Sequence, residues 1–114
     1  MAKRSQKNSE PDIRPRIRIT SDGEVAIGPG KAELLAHLKT TGSLAQAARQ
    51  MDMSYMRAWT LIKTMEKCFK APLVTRARGG EGGGGATLTE TGHEVLALYQ
   101  AMEADAMAAT QASW

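Results

Sequence analysis

At 114 residues the chain has room for one domain with a modest core and too little for two. A single cysteine excludes a disulfide framework or a Cys-based metal site, and no apolar run reaches the roughly 18 residues of a spanning helix. The net charge is only +3, but it is partitioned: residues 1–18 carry +4, residues 57–78 carry +5, and everything after Arg78 carries −5. A basic block beside an acidic one suits a polyanion-facing surface with a separately employed C-terminal segment, and it equally describes solvated charged faces. The cytoplasm is the expected compartment, with no membrane contact.

Residues 1–15 are polar, basic and interrupted by Pro11 and Pro15, which reads as a disordered tail. From residue 16 the pattern changes to alternation. Ile17 and Ile19 point one way, while Arg16, Arg18 and Thr20 point the other. Val25 and Ile27 repeat the pattern after Asp22-Gly23, a dipeptide suited to a tight turn, so residues 16–27 are expected to form a β-hairpin. A helix over about 30–41 follows, with Leu34, Leu35 and Leu38 at helical spacing and Gly42 in the post-helix position. Ser43, with Gln46 three residues on, has the signature of a capping box for a second, alanine-rich helix over 44–51.

Asp52 tolerates a left-handed backbone, and Ser54 is placed to cap a third helix over 54–69. At 100° per residue, Ala58, Leu61, Ile62, Met65 and Phe69 share one side of it. Met56, Thr60, Lys63 and Lys67 share the other, with Arg57 and Trp59 on the flanks. A small-faced helix joined by a tight turn to an amphipathic one spells helix-turn-helix.

Two short β-prone runs, LVTRA and ATLT, then flank the glycine-rich stretch GGEGGGG. No Lys-Ser or Lys-Thr opens a helix after it, which excludes a nucleotide-binding phosphate loop. A β-hairpin over 73–89 with a glycine tip, a wing, is the remaining reading. The last helix, over 90–112, is capped by Thr89 and acidic at its start. Val95, Tyr99, Met102 and Ala106 recur at spacings of four, three and four, a seam suited to a partner helix and equally to burial within the chain. The expected class is therefore α+β, mostly α: a winged helix-turn-helix over 16–89 with an N-terminal β-hairpin and a long C-terminal dimerisation helix.

The runs TGSLAQAARQMDMSYMRAWTLIKTMEK and PLVTRARGGEGGGGATLTETG closely resemble the N-terminal DNA-binding domain of the molybdate-responsive ModE regulators. They are similar, more distantly, to the DNA-binding domain of LysR-type regulators. The resemblance covers roughly residues 28–105, and its most specific elements are MSY-x-x-AW and the glycine-rich wing ending in LT. It implies that Ser54 to Lys63 enter the major groove, that Arg76 to Gly85 form the wing, and that the helix from Glu90 forms a dimer. ModE proteins continue into a molybdate-binding region, whereas this sequence ends at Trp114, so the expectation is a stand-alone module with no oxyanion site of its own.

Within that frame Arg57 is placed for base readout near the start of the recognition helix, and Lys63 for guanine or phosphate. Ser54, and Ser43 at the start of the second helix, are placed to hold phosphates as well as to cap. Tyr55 suits sugar contact, and Met56 and Thr60 suit thymine methyl groups. Trp59 is expected to pack against the wing or the first hairpin. Arg76 and Arg78 are candidates for phosphate and minor-groove contact, with Gly79 and Gly80 letting the backbone approach the duplex. His37, His93 and Cys68 stand apart from any ligand or triad spacing, so no metal, cofactor or catalytic residue is assigned. The expected partners are double-stranded DNA, a second copy of the chain, and a protein docking on the C-terminal helix. The function expected is that of a sequence-specific transcriptional regulator, dimeric on a palindromic site. The alternatives are an interaction module that hetero-dimerises with a full-length regulator, and a nonspecific architectural DNA binder.

Overall fold

Two consecutive residues with positive φ, Asp22 (51°) and Gly23 (81°), make the tight turn of the first hairpin. In the computed structural model, which describes residues 11–76 and 85–114, this turn joins β1 (Ile19–Ser21) to β2 (Glu24–Ile27). The pairing is antiparallel, with Ser21 opposite Glu24 and Thr20 opposite Val25, and a bulge then brings Ile27 opposite Ile19. The bulge breaks the simple alternation expected from sequence: Ala26 and Ile27 are both buried, and Val25 is only half-buried. Residues 11–18 have no regular structure, although Ile17, with Ile19, packs against the core. The first ten residues of the basic tail and the tip of the wing, with Arg78, Gly79 and Gly80, lie outside the described residues.

Helix α1 (Pro29–Thr41) starts with a proline whose missing N–H costs nothing there. It ends at Gly42, left-handed at φ 68°, whose N–H donates to Leu38 O. Leu34, Leu35 and Leu38 are fully buried, the face their spacing predicts. Helix α2 (Leu44–Gln50) is capped by Ser43, whose hydroxyl oxygen accepts from Gln46 N at 3.1 Å. In place of the reciprocal half of a capping box, Ser43 N donates to Thr41 Oγ1 at 3.1 Å.

The turn into α3 (Tyr55–Phe69) is a Schellman arrangement: Met53 N donates to Ala48 O, Asp52 N donates to Arg49 O, and Asp52 is left-handed at φ 57°. Ser54 Oγ then accepts from Arg57 N at 3.0 Å. Ala47, Ala48 and Ala58 are all buried, and their small side chains let α2 and α3 approach closely.

The wing strands β3 (Val74–Arg76) and β4 (Ala86–Leu88) pair antiparallel, with Val74 opposite Leu88 and Arg76 opposite Ala86. Three attachments fix their base. Glu66, on α3, accepts from Leu73 N at 2.9 Å and Val74 N at 3.3 Å. Ala86 N donates to Gly42 O at 3.1 Å, beside an isolated bridge between Ser43 and Gly85. Thr89 N donates to Leu73 O, and its hydroxyl donates to Pro72 O at 2.8 Å. Thr89 also caps α4 (Glu90–Ser113) by accepting from Gly92 N. Helix α4 returns across α1, so Leu96 and Tyr99 complete the same core as Leu34, Ile62 and Met65. The mostly helical α+β class expected from the sequence is the one observed. No helix of the described residues is long and apolar enough to cross a membrane.

Two substitutions test these joints. A Cβ at Gly92 would collide with the Leu73 carbonyl oxygen and stand 3.3 Å from Leu88 Cβ. Gly92→Ala is therefore expected to destabilise by about 1–3 kcal/mol or more, read as a lower melting temperature in thermal unfolding; a wild-type melt would contradict the close approach. Glu66→Ala leaves the Leu73 and Val74 N–H groups without their acceptor, at about 1–3 kcal/mol in urea unfolding. Glu66→Gln, which keeps an acceptor oxygen, should recover most of that loss.

Candidate nucleic-acid interface

Helix α3 presents one face that nothing among the described residues covers. Met56 is 70% exposed, and Thr60, Lys63 and Lys67 are exposed beside it. A shallow groove runs along this face, lined by Met56, Trp59, Thr60, Lys63, Thr64 and Lys67. The opposite face carries Ala58, Ile62 and Met65, all fully buried, with Leu61 and Phe69 half-buried against the same core. The amphipathic division read from the sequence is thus present. The free face has the mixture of apolar tips, hydroxyls and cations that base edges and phosphates require.

The two flanks differ. On one, half-buried Trp59 is a platform for the wing: the Arg76 guanidinium lies 4.7 Å from its ring centroid, Lys63 Nζ 5.4 Å, and Tyr55 meets it edge-on at 6.4 Å. A cation held over an indole gains about 0.5–1 kcal/mol at an exposed site, so Arg76 is oriented and keeps its charge available. Lys63 is also 3.5 Å from Glu66 Oε1, an exposed-side pair of little energetic weight. On the other flank, exposed Arg57 faces a cleft against the first hairpin and the start of α1.

Of the residues singled out in the sequence, Tyr55, Met56, Arg57, Thr60 and Lys63 are therefore brought onto the open face or its rims, with Arg76 joined to them through Trp59. Ser54, exposed, lies at the N-terminal end of the same helix, where its oxygen caps Arg57 N. Ser43 lies at the α1–α2 turn beside the base of the wing, with its N–H and its hydroxyl oxygen both engaged. Among the described residues neither serine hydroxyl donates a hydrogen bond. Arg78, Gly79 and Gly80 lie outside the described residues. His37 pairs with Glu33 at 3.6 Å on α1, and Cys68 Sγ lies 3.9 Å from Glu24 Oε1. Among the described residues no group of three or more His, Cys, Asp or Glu could hold a metal ion.

The α4 seam divides. Tyr99 is buried in the chain's own core, and its hydroxyl donates to Ile17 O at 2.6 Å. Burial, then the nearby Glu103 charge, raise its pKa above the usual value, against a smaller opposing effect of Arg16 and Arg18. Val95 packs against that core as well, whereas Met102 is 40% exposed and Ala106 half-buried. The exposed apolar side chains of this helix include Leu98, at 67%, and Met107, neither of which falls on the seam. A spacing of four and three marks burial without saying whether the covering surface is the same chain or another.

Known proteins share these elements. The chain is 44% identical over 78 residues to the molybdenum-pterin-binding protein MopB of Rhodobacter capsulatus, covering 68% of this chain and 29% of that one. It is 42% identical over 71 residues to the DNA-binding transcriptional dual regulator ModE of Escherichia coli K12, covering 62% of this chain and 27% of the relative. The molybdenum transport protein ModE of Azotobacter vinelandii is 36% identical over 88 residues, 77% of this chain and 33% of its own length. The chain thus spans a third or less of these relatives. Among solved structures, ArgP from Mycobacterium tuberculosis shares the fold with a TM-score of 0.53 and 21% identity, over 73% of this chain and 30% of ArgP. Residues 30–93, from the start of α1 into the first turn of α4, match the bacterial regulatory helix-turn-helix proteins of the lysR family, and the chain belongs to that family.

Proposed function

We propose that the chain is a sequence-specific DNA-binding transcriptional regulator, working in the cytoplasm as a dimer on a palindromic site. The observation that carries this reading is the face of α3 left exposed among the described residues, with cations and polar groups on both rims and the first wing strand held to one of them through Arg76. In this reading α3 lies in the major groove. Arg57 reads a guanine edge, Met56 and Thr60 touch thymine methyl groups, and Lys63 and Tyr55 reach base or backbone. Arg76, steadied on Trp59, takes a phosphate at the wing, where Arg78 and the backbone at Gly79 and Gly80 extend the contact. The hydroxyls of Ser43 and Ser54 add phosphate bonds at the starts of their helices.

The acidic, partly apolar α4 is assigned to dimerisation through Met102 and Ala106, with Leu98, one turn before Met102, at the edge of the same face. A two-fold axis through that pairing repeats α3 on the duplex and favours a palindromic site whose spacing the dimer sets. The exposure of Leu98 and Met102 also supports a second reading, in which α4 pairs with a different regulator.

Specific readout predicts that the protein prefers its own upstream region over a scrambled duplex of equal length by about a thousandfold or more, with both affinities falling steeply as salt rises. Arg57→Ala should remove about 1–3 kcal/mol of that preference and little of the total affinity. Equal weak binding to every duplex would refute specific readout, and an equal drop on all sequences would reassign Arg57 to phosphate. For the dimer, Leu98→Glu combined with Met102→Glu should convert a dimer to a monomer in sedimentation equilibrium and weaken binding to the preferred duplex. A wild-type monomer at micromolar concentration would refute homodimerisation and direct attention to a partner protein.

A further inference from the structure

The flank of α3 away from the wing is as basic as the wing flank, and base readout by Arg57 engages only one of its cations. There a cleft of about 270 Å³ opens between the segment leading into the first hairpin, the start of α1 and the flank of α3. Among the described residues four of its lining side chains are cations, Arg16, Arg18, Lys31 and Arg57, and none is a carboxylate. Among the described residues neither Arg16, Arg18 nor Arg57 makes an ion pair, whereas the neighbouring Arg14 is paired with Asp12 at 2.7 Å. Cations gathered without a counter-charge repel one another, and a bound anion relieves that repulsion.

The cleft is held by the fold. Alternation along Arg16-Ile17-Arg18-Ile19 packs the half-buried isoleucines against the core and leaves both arginines exposed. Tyr99 of α4 ties Ile17 O down between them. Lys31 Nζ donates to Val25 O at 2.5 Å, which fixes its ammonium on the wall. Gly28 leaves room for the Arg18 stem, since a Cβ there would stand 3.2 Å from Arg18 Cγ.

A helix lying in the major groove, about 12 Å wide, has a sugar-phosphate strand along each side. Trp59 and Arg57 are on opposite flanks of α3, and each faces one of these structures: the wing through Arg76, the cleft through Arg57 itself. From this geometry we infer that Arg16 and Arg18 form a second phosphate clamp, which grips the DNA strand on the side of the groove opposite the wing. The inference rests on the DNA-binding reading and adds the first hairpin to the interface. Its ligand is the phosphodiester backbone, so its contribution is independent of base sequence.

The test is the salt dependence of affinity, measured by fluorescence anisotropy on the preferred duplex and on a scrambled 30-base-pair duplex for the full chain and for Arg16→Gln/Arg18→Gln. Each phosphate left without its arginine lowers the magnitude of the slope of log K against log salt by about 0.9, so the double variant should lower it by about 1.8. The variant should weaken both duplexes by the same factor, leaving their ratio unchanged. Arg14→Gln, which removes a charge already paired with Asp12, should leave the slope in place. Circular dichroism and a thermal melt matching wild type show that both variants are folded.

An unchanged slope in the double variant, while the wild type still binds, overturns the clamp and leaves the DNA-binding reading standing. No binding of any duplex by the wild type defeats both. A loss confined to the preferred duplex, or an equal slope change in Arg14→Gln, also overturns the clamp. Inorganic phosphate, titrated against chloride at constant ionic strength, distinguishes the remaining source of the same chemistry. Saturable binding that Arg16→Gln/Arg18→Gln abolishes, with DNA affinity untouched by the variant, would make this a free-anion site and overturn the inference.

Discussion

One half-buried carboxylate governs how the wing stands against the third helix. Glu66 reaches from α3 to the backbone N–H groups of Leu73 and Val74, the two residues that lead into β3. Backbone donors entering a strand at the edge of a core must be satisfied, and the helix supplies one side-chain oxygen that accepts from both at once. Two turns earlier on the same flank, Trp59 receives Arg76, which lies at the far end of β3. The wing is therefore attached to α3 at both ends of its first strand. The second strand is tied instead to the α1–α2 turn, through Ala86 N and Gly42 O. Helix α3, the wing strands and the start of α2 consequently share one frame, which suits the proposed contacts, since these would have to meet a duplex simultaneously.

That frame depends in turn on how closely α2 approaches α3. Alanines at 47, 48 and 58 are buried where larger side chains would push the helices apart, and the left-handed Asp52 turns the chain within a single residue. A larger residue at any of the three alanines would have to be absorbed by movement of a helix. Movement of α3 would carry Glu66 and Trp59 with it. The packing of two small helices is thus read out at the wing.

What the sequence discloses here is mostly what is periodic or local. The buried face of α3, the caps at Ser43, Ser54 and Thr89, and the turn at Asp22-Gly23 each depend on residues within a few positions of one another, and each is legible. The resemblance to ModE and LysR-type domains rests on the same local runs. The joints are a different matter. Glu66 reads as one more acid on a helix, and only the folded chain shows it bonded seven and eight residues ahead. Gly92 looks like an unfavourable residue in the first turn of α4 until the Leu73 carbonyl is found against it. Arg16, Arg18 and Arg57 are separated by some forty residues and share a cleft only after the hairpin folds back on α3. The α4 seam is ambiguous in sequence for a physical reason: a buried stripe has the same period whichever surface covers it, and here Tyr99 serves the chain's own core.

Tyr99 also connects the two ends of the proposed machinery. Its ring sits in the core, and its hydroxyl holds Ile17 O across 82 positions of sequence, between the two arginines of the basic cleft. Desolvation favours the neutral phenol, and the Glu103 carboxylate on the same helix adds to that preference, so the hydroxyl keeps the proton it donates well above neutral pH. The helix proposed to set the spacing of two recognition units is thus bonded to the strand entrance that carries their basic flanks. If α4 fixes the angle between two copies, it fixes the direction of each hairpin cleft with it, because the link is one short hydrogen bond from a buried, rigid side chain. A duplex that fits both recognition helices would then meet phosphate-binding groups at positions set by the dimer axis, and the N-terminal hairpin becomes part of how half-site spacing is measured.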